Sequence, residues 1–309
     1  IVLSLIFLLP VSNSFGAMIT HNPNQTTLLT AGSLVAGVAF NSDGTKVFTS
    51  STNDANFINE FSLSIPYDIS SLVYTGDSER CDMGGRMEAT PYDLEFSSDG
   101  MRFFIVTRNA GNNTADGDKA YGFDLTSPYD ISTCFYVSET TNLDSMALQN
   151  GSKAGSRGSG DFANNKSRNR VQGIEFNETG TKLFLIFHGL GNFVASEGSG
   201  ARPTRLLEYK LSTPYDITDL TLVTTAGIEL EDEVANPQTM RFSANGKRIF
   251  IIDHLGNANG LEVHQVSLSN PYDTSSFTVD GRVRVADLDS DHVEPGGIAF
   301  SKSGLKMYV

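Results

Sequence analysis

The sequence has no tryptophan, only two cysteines and five histidines, and few basic residues: 22 Lys and Arg stand against 36 Asp and Glu, a formal net charge of −14. So acidic a chain is a poor partner for nucleic acid or an anionic membrane, both of which demand dense Lys and Arg. Without tryptophan, any stacking on a sugar must rest on Tyr and Phe. Two cysteines are too few for a disulfide scaffold. The chain also lacks a Walker loop, a G-x-S-x-G elbow and a His-Glu-x-x-His pair, which removes the commonest nucleotide, serine-hydrolase and zinc signatures. Its one long apolar run, Ile1 to Val11, is too short to span a bilayer. Small residues at Ser14 and Gly16 follow that run, as at a leader cleavage site, so residues 1–16 are expected to be a signal peptide cut after Gly16 and residues 17–309 the mature domain. No membrane insertion is expected once the leader is removed.

What the chain does have is repetition. Five segments align without gaps: GVAFNSDGTKVF from Gly37, YDLEFSSDGMRFF from Tyr92, GIEFNETGTKLF from Gly173, TMRFSANGKRIF from Thr239 and GIAFSKSGLKMY from Gly297. Each has a Phe (Phe40, Phe96, Phe176, Phe242, Phe300) followed four residues later by a Gly (Gly44, Gly100, Gly180, Gly246, Gly304). A second motif follows in the first four units, Pro-Tyr-Asp, with tyrosines Tyr67, Tyr129, Tyr215 and Tyr272. Recurrence at this period predicts a propeller, solenoid or array.

The chemistry of one unit selects the propeller. A first strand with alternating apolar residues ends in an x-Gly pair suited to a tight hairpin. The second strand is apolar at every position, as in Phe103-Phe104-Ile105-Val106, and so has both faces covered. A third strand alternates, and a Pro-Tyr-Asp turn leads to a fourth. Four antiparallel strands buried most deeply in the middle describe a propeller blade. The fold class is therefore an all-β propeller of four complete four-stranded blades and the start of a fifth, since the sequence stops inside a strand; six or seven blades are expected in the intact protein. Thr26 to Gly32 resembles a fourth-strand segment and is expected to close the ring. The F-S-x-D-G-x-K/R pattern, clearest at Ser97-Ser98-Asp99-Gly100 and Ser243-Ala244-Asn245-Gly246-Lys247, resembles the repeats of TolB-like and lactonase-like (YVTN-type) propellers. That resemblance implies architecture and not an activity.

In such a blade the first-to-second and third-to-fourth turns share one face, and here they are uniform and tight. The long insertions, Asn109–Lys119, Thr140–Arg170 and Gly189–Arg205, all fall on the opposite face, which is therefore expected to be the working face. The Lys153–Arg170 stretch carries five basic residues against Asp161 alone and reads as a solvated linker. Two sets of candidate residues follow from comparing equivalent positions. At the loop-face end of the second strands stand Thr52, Arg108, His188 and His254: histidines for a metal or a proton shuttle, an arginine for a carboxylate. On the innermost strands stand Glu95, Glu175 and Arg241, a set suited to holding a cation or to acid/base chemistry.

Cofactors are expected to be none, with calcium the one candidate at Asp287, Asp289, Asp291 and Glu294, whose spacing departs from the EF-hand loop. Export permits a disulfide, but Cys81, read as lying in a blade-to-blade link, and Cys134, at the start of a fourth strand near the opposite face, have places that disfavour this pairing and leave it open. Together these features point to a secreted or cell-surface protein, or a periplasmic one, that binds a glycan or protein through loops on one face. The alternatives are a lactonase-like or other metal-dependent hydrolase with its site at the channel mouth, or a structural part of a surface layer, filament or phage particle.

Overall fold

The computed structural model describes residues 2–8, 19–28, 35–51, 57–83, 90–108, 118–141, 143, 170–188, 204–223, 227–230, 234, 236–254, 261–285 and 296–309. Four blades of contiguous chain form a β-propeller. Blade 1 is Val35–Phe40, Lys46–Ser51, Phe57–Leu63 and Leu72–Tyr74; blade 2 is Thr90–Phe96, Arg102–Arg108, Lys119–Asp124 and Phe135–Glu139. Blade 3 is Arg170–Phe176, Lys182–His188, Arg205–Leu211 and Leu220–Leu222; blade 4 is Pro237–Phe242, Arg248–His254, Leu261–Leu268 and Phe277–Arg284. Within each, neighbours in sequence pair antiparallel. The second strands are the interior, as their uninterrupted apolar sequences require: Phe103 to Val106 and Leu183 to Phe187 are all fully buried.

A fifth sheet lies between blade 4 and blade 1. Its inner places are Ala299–Phe300 and Lys306–Tyr308, its third place Val2–Leu8 and its fourth Ile19–Leu28. Thr26, Thr27 and Leu28 thus occupy the outer place expected of the closing segment, paired with Ser4, Leu3 and Val2. The expected leader contributes a strand here, and a chain cut after Gly16 would lack the third place of this sheet. The described residues hold five sheets, and the fifth packs on both neighbours. Phe250 meets Phe300 at 4.8 Å between ring centroids, and Phe40 meets Tyr308 at 4.7 Å. Those distances match Phe48–Phe96, Phe104–Phe176 and Phe184–Phe242, at 4.7, 4.5 and 4.6 Å, so one aromatic contact recurs at every junction. Tyr308 fills the place of Phe48 and seals the ring.

The Pro-Tyr-Asp turns are a structural lock. Tyr67, Tyr129, Tyr215 and Tyr272 all have positive φ, from 53° to 61°, a conformation unfavourable for an L-residue with a bulky side chain. Each is held there from several sides. Its N–H donates to the carbonyl of the hairpin Gly (Tyr129 N to Gly100 O, 2.8 Å), and its ring covers that Gly so closely that a Cβ on Gly100 would lie 2.2 Å from Cε2 of Tyr129. Its own carbonyl accepts from the cation opening the preceding blade's second strand: Lys46 on Tyr129, Arg102 on Tyr215, Lys182 on Tyr272 and Lys306 on Tyr67, at 3.1, 3.1, 2.6 and 3.2 Å. The first three cations also pair with an acid of their own third strand, Glu60, Asp124 and Glu208. The Asp after the Tyr makes an Asx turn, as in Ser70 N to Asp68 Oδ1 at 3.1 Å.

The two cysteines form a disulfide, Cys81–Cys134, a pairing that their expected places disfavoured. After Leu72–Tyr74 the outer edge of blade 1 does not end. A short turn, Asp77–Glu79, interrupts it, and Cys81–Asp82 then rejoins the same third strand opposite Ile58 and Phe57. Cys81 is therefore still part of blade 1, against the Ile131–Thr133 turn of blade 2. The bond staples two adjacent blades.

Candidate functional site

The innermost strands meet around the propeller axis, and each of blades 1 to 4 has a register shift there, at Val35/Gly37, Pro91/Asp93, Val171/Gly173 and Pro237/Thr239. A bulge of this kind bends the strand and re-aims the side chain that follows. The position after it is Gly37, Asp93, Gly173, Thr239 and Gly297 in successive units. The glycines allow strands to touch: a Cβ on Gly37 would lie 2.9 Å from Cα of Asp93. Asp93, the one acid in this column of small residues, is fully buried.

Its partner crosses from blade 4. Arg241 reaches Asp93 with two hydrogen bonds, Nη2 to Oδ1 at 2.7 Å and Nη1 to Oδ2 at 2.8 Å. The same guanidinium donates to main-chain carbonyls of four blades: Met240 at 2.7 Å, Leu94 at 2.9 Å, Ile174 at 3.3 Å and Val38 at 3.4 Å. Thr239 Oγ1 and the Ile174 N–H donate to Asp93 Oδ2, and the Leu94 N–H to Oδ1. A fully hydrogen-bonded ion pair of this kind is strongly destabilised when either partner is removed. One arginine thus ties together the inner strands of blades 1 to 4.

Above this hub sit Glu95 and Glu175. The Arg241 Nε is 3.6 Å from Glu95 Oε2 and 3.5 Å from Glu175 Oε2, while its other nitrogens are committed to Asp93 and the carbonyls. Glu175 is 8% exposed. Its Oε1 accepts from the Phe242 N–H at 3.3 Å, and its Oε2 accepts no hydrogen bond. Burial pushes the Glu95 carboxyl up to about 7, with Arg241 pulling it down and Asp93 adding to the rise. Burial, and then the neighbouring Glu95, raise Glu175 well above the ordinary carboxylate range. Burial works against the charge of Arg241 too, but Asp93 foremost, then Glu175 and Glu95, raise its pKa and hold it protonated.

The two carboxyls form the floor of a cavity of about 310 Å³. Its walls are the rings of Phe40, Tyr67, Tyr129 and Phe300, and its rim carries Ser42, Ser98 and the exposed Lys302. Those rim residues belong to the hairpins, so the pocket opens on the face of tight turns and not on the face of long insertions. The inserted segments, Thr52 and the acidic Asp287–Glu294 stretch lie outside the described residues or mostly so.

The candidates from sequence thus separate into two tiers. Glu95, Glu175 and Arg241 come together, with Asp93 added. Arg108, His188 and His254 do not join them. Across the ladders Glu95, Glu175 and Arg241 face Phe104, Phe184 and Phe250, each four residues short of Arg108, His188 and His254. That is roughly 13 Å along the strand at the usual rise. His188 is buried in its own sheet opposite Arg170. Among the described residues no group of three or more His, Cys, Asp or Glu is placed to hold a metal ion, and no helix is long and apolar enough to cross a membrane.

No family model and no curated protein matches the chain. Solved structures do. A nidogen/laminin complex aligns at TM-score 0.41 and 11% identity, covering 96% of this chain and 81% of that one. A putative 6-phosphogluconolactonase from Bacteroides uniformis aligns at 0.40 and 13%, covering 84% and 65%. The β-propeller domain of Cps50 (Swd1) from Myceliophteria thermophila aligns at 0.40 and 12%, covering 85% and 75%. At these values they say nothing of the chemistry, and the fold assignment rests on the sheets themselves.

Proposed function

We propose that this is a binding propeller, exported and displayed outside the cell, which recognises a glycan or a protein group in the axial pocket of its hairpin face. The observation that carries the reading is the pocket floor: a buried carboxyl oxygen of Glu175 with no hydrogen-bond donor, beside a second carboxyl, under walls of aromatic ring. Carboxyl groups gathered in a concave, ring-lined cavity, one of them with an oxygen that accepts no hydrogen bond, are recognition chemistry. The Cys81–Cys134 bond supports export, since such bonds persist in oxidising compartments. On its repeat motif alone the chain is grouped with the TolB-like and YVTN-type propellers. The second reading, a hydrolase, is favoured by two protonatable carboxyls around one guanidinium, the composition of an acid/base pair.

The test is a panel of immobilised glycans and extracellular proteins, probed with the wild type and with Glu95→Gln/Glu175→Gln. Binding that the double variant loses places the partner in the pocket. Binding that it retains moves the partner elsewhere, and turnover of simple lactones or aryl glycosides, lost in the variant, would replace the binder by the enzyme.

A further inference from the structure

We propose that the recognised group is an organic cation, an ammonium or guanidinium carried by the ligand and seated between the carboxyl groups of Glu95 and Glu175. This rests on the pocket reading above and narrows its chemistry.

The first argument is charge. Arg241 is the one cation on the floor, and its charge is met by the bidentate contact with Asp93. Glu95 and Glu175 are then left with a single edge of that guanidinium, the Nε, at 3.6 and 3.5 Å. Fully ionised, the four side chains would carry a surplus of two negative charges in a site of low dielectric, a state that is neutralised either by protons or by an incoming cation that displaces them. The second argument is the Glu175 Oε2, buried, 3.5 Å from the Arg241 Nε and accepting no hydrogen bond: once ionised it asks for a donor, which an anion cannot supply. The third is the wall. Phe40, Tyr67, Tyr129 and Phe300 line the cavity, and aromatic faces attract alkylammonium and guanidinium groups. Lys302, at the rim, is exposed to solvent, where its charge is screened.

The sign of the pH dependence follows. The charged and titratable groups facing the pair are Asp93 and Arg241 beneath it, Tyr67 and Tyr129 at the walls, Tyr272 behind Phe242 and Lys302 at the rim. The three phenols are pushed up, by burial first, and stay neutral. With the Glu95 carboxyl near 7, the carboxylate forms as pH rises through neutrality, so a cation binds more tightly at higher pH and displaces protons as it enters. If Glu95 alone titrates, its ionised fraction grows from about 3% at pH 5.5 to about 91% at pH 8, an affinity gain of roughly thirtyfold.

The experiment uses the full chain and three probes: n-butylammonium, n-butylguanidinium and the neutral alcohol 1-pentanol, of intermediate size, with binding followed by NMR shifts of Glu95 and Glu175 and by calorimetry. Both cations are expected to bind better than pentanol, more tightly at pH 8 than at pH 5.5, and at least tenfold more weakly in Glu95→Gln/Glu175→Gln. Thermal melts and near-ultraviolet circular dichroism check that the variant is folded. Pentanol binding as well as the cations, a flat pH profile, an undiminished variant, or no cation binding up to tens of millimolar would each overturn the proposal. A glycan or protein that occupies the pocket while the amines do not would sink this inference alone; a pocket that takes neither sinks the function proposed above as well.

Discussion

Replacing Arg241 by Met keeps most of the side chain's volume and removes its charge and every hydrogen bond it donates. Four main-chain carbonyls on four blades would lose their donor, and Asp93, fully buried, would lose its bidentate partner. Removing one member of a buried ion pair typically destabilises by about 3–5 kcal/mol, because the other charge is stranded. The Asp93 carboxylate keeps the donors Thr239 Oγ1 and the N–H groups of Leu94 and Ile174, which argues for the lower half of that range. For a chain of this size the fall in Tm is about 5 °C. Urea unfolding of the wild type, Arg241→Met, Asp93→Asn and the double variant measures both the loss and the coupling. The double variant is expected to be less damaged than the two single losses added together, since the second substitution removes the stranded charge. An Arg241→Met protein within 1 kcal/mol of the wild type, or a strictly additive cycle, would show that the inner strands do not depend on this hub.

Two other substitutions isolate the turn lock. Gly100 and Gly304 share a φ of +69°, but a Cβ would strike Tyr129 only at Gly100 and meets nothing within 4 Å at Gly304. Gly304→Ala should therefore lose only the backbone preference, about 1–2 kcal/mol, and Gly100→Ala that much plus the roughly 1–3 kcal/mol of an overpacked contact, as compared by chemical denaturation; equal losses would remove the ring from the argument. Reducing Cys81–Cys134, which closes a loop across 53 residues, should lower stability by about 4 kcal/mol, read as the shift in urea midpoint with and without dithiothreitol. An unchanged midpoint would mean that the two blades hold their positions without the staple. Stability should also depend on pH through the pocket. A carboxyl whose folded pKa is raised favours the folded state below its unfolded value, and that contribution is lost as pH rises through the folded pKa. Glu95→Gln should thus gain stability relative to the wild type as pH rises from 4.5 to above 7, and a constant gap over that window would contradict the shift.

The blades were legible because each strand carries its own local signal. The x-Gly hairpins, the uninterrupted apolar second strands and the repeated Phe fix pairing and burial within some thirty residues of one another. Glu95, Glu175 and Arg241 were legible for the same reason, as charges at one aligned inward position. Asp93 was missed although its signal was present: it is the lone acid in a column otherwise made of Gly and Thr. What binds it is Arg241, 148 residues away, and only closure of the ring brings them together. The disulfide was misjudged because nothing local shows that the edge of blade 1 resumes at Cys81 after its turn. The pocket on the hairpin face was not legible from the insertions, because insertion length marks where a fold tolerates change, which need not be where its axis is open. The pairing of Val2–Leu8 as a strand was not legible, since a short apolar run with small residues after it serves a leader and a strand equally well.

The most direct measurement of the central claim, that the axis carries a pocket floored by two carboxyls held out of their ordinary ionisation, is a pH titration of the protein with 13C-labelled glutamate side chains, the signals of Glu95 and Glu175 assigned by their Gln variants. One resonance should titrate near 7 and a second well above the ordinary range, and both should move toward normal values when n-butylammonium is added. Glutamates that all titrate near 4.5, with or without the amine, would contradict it.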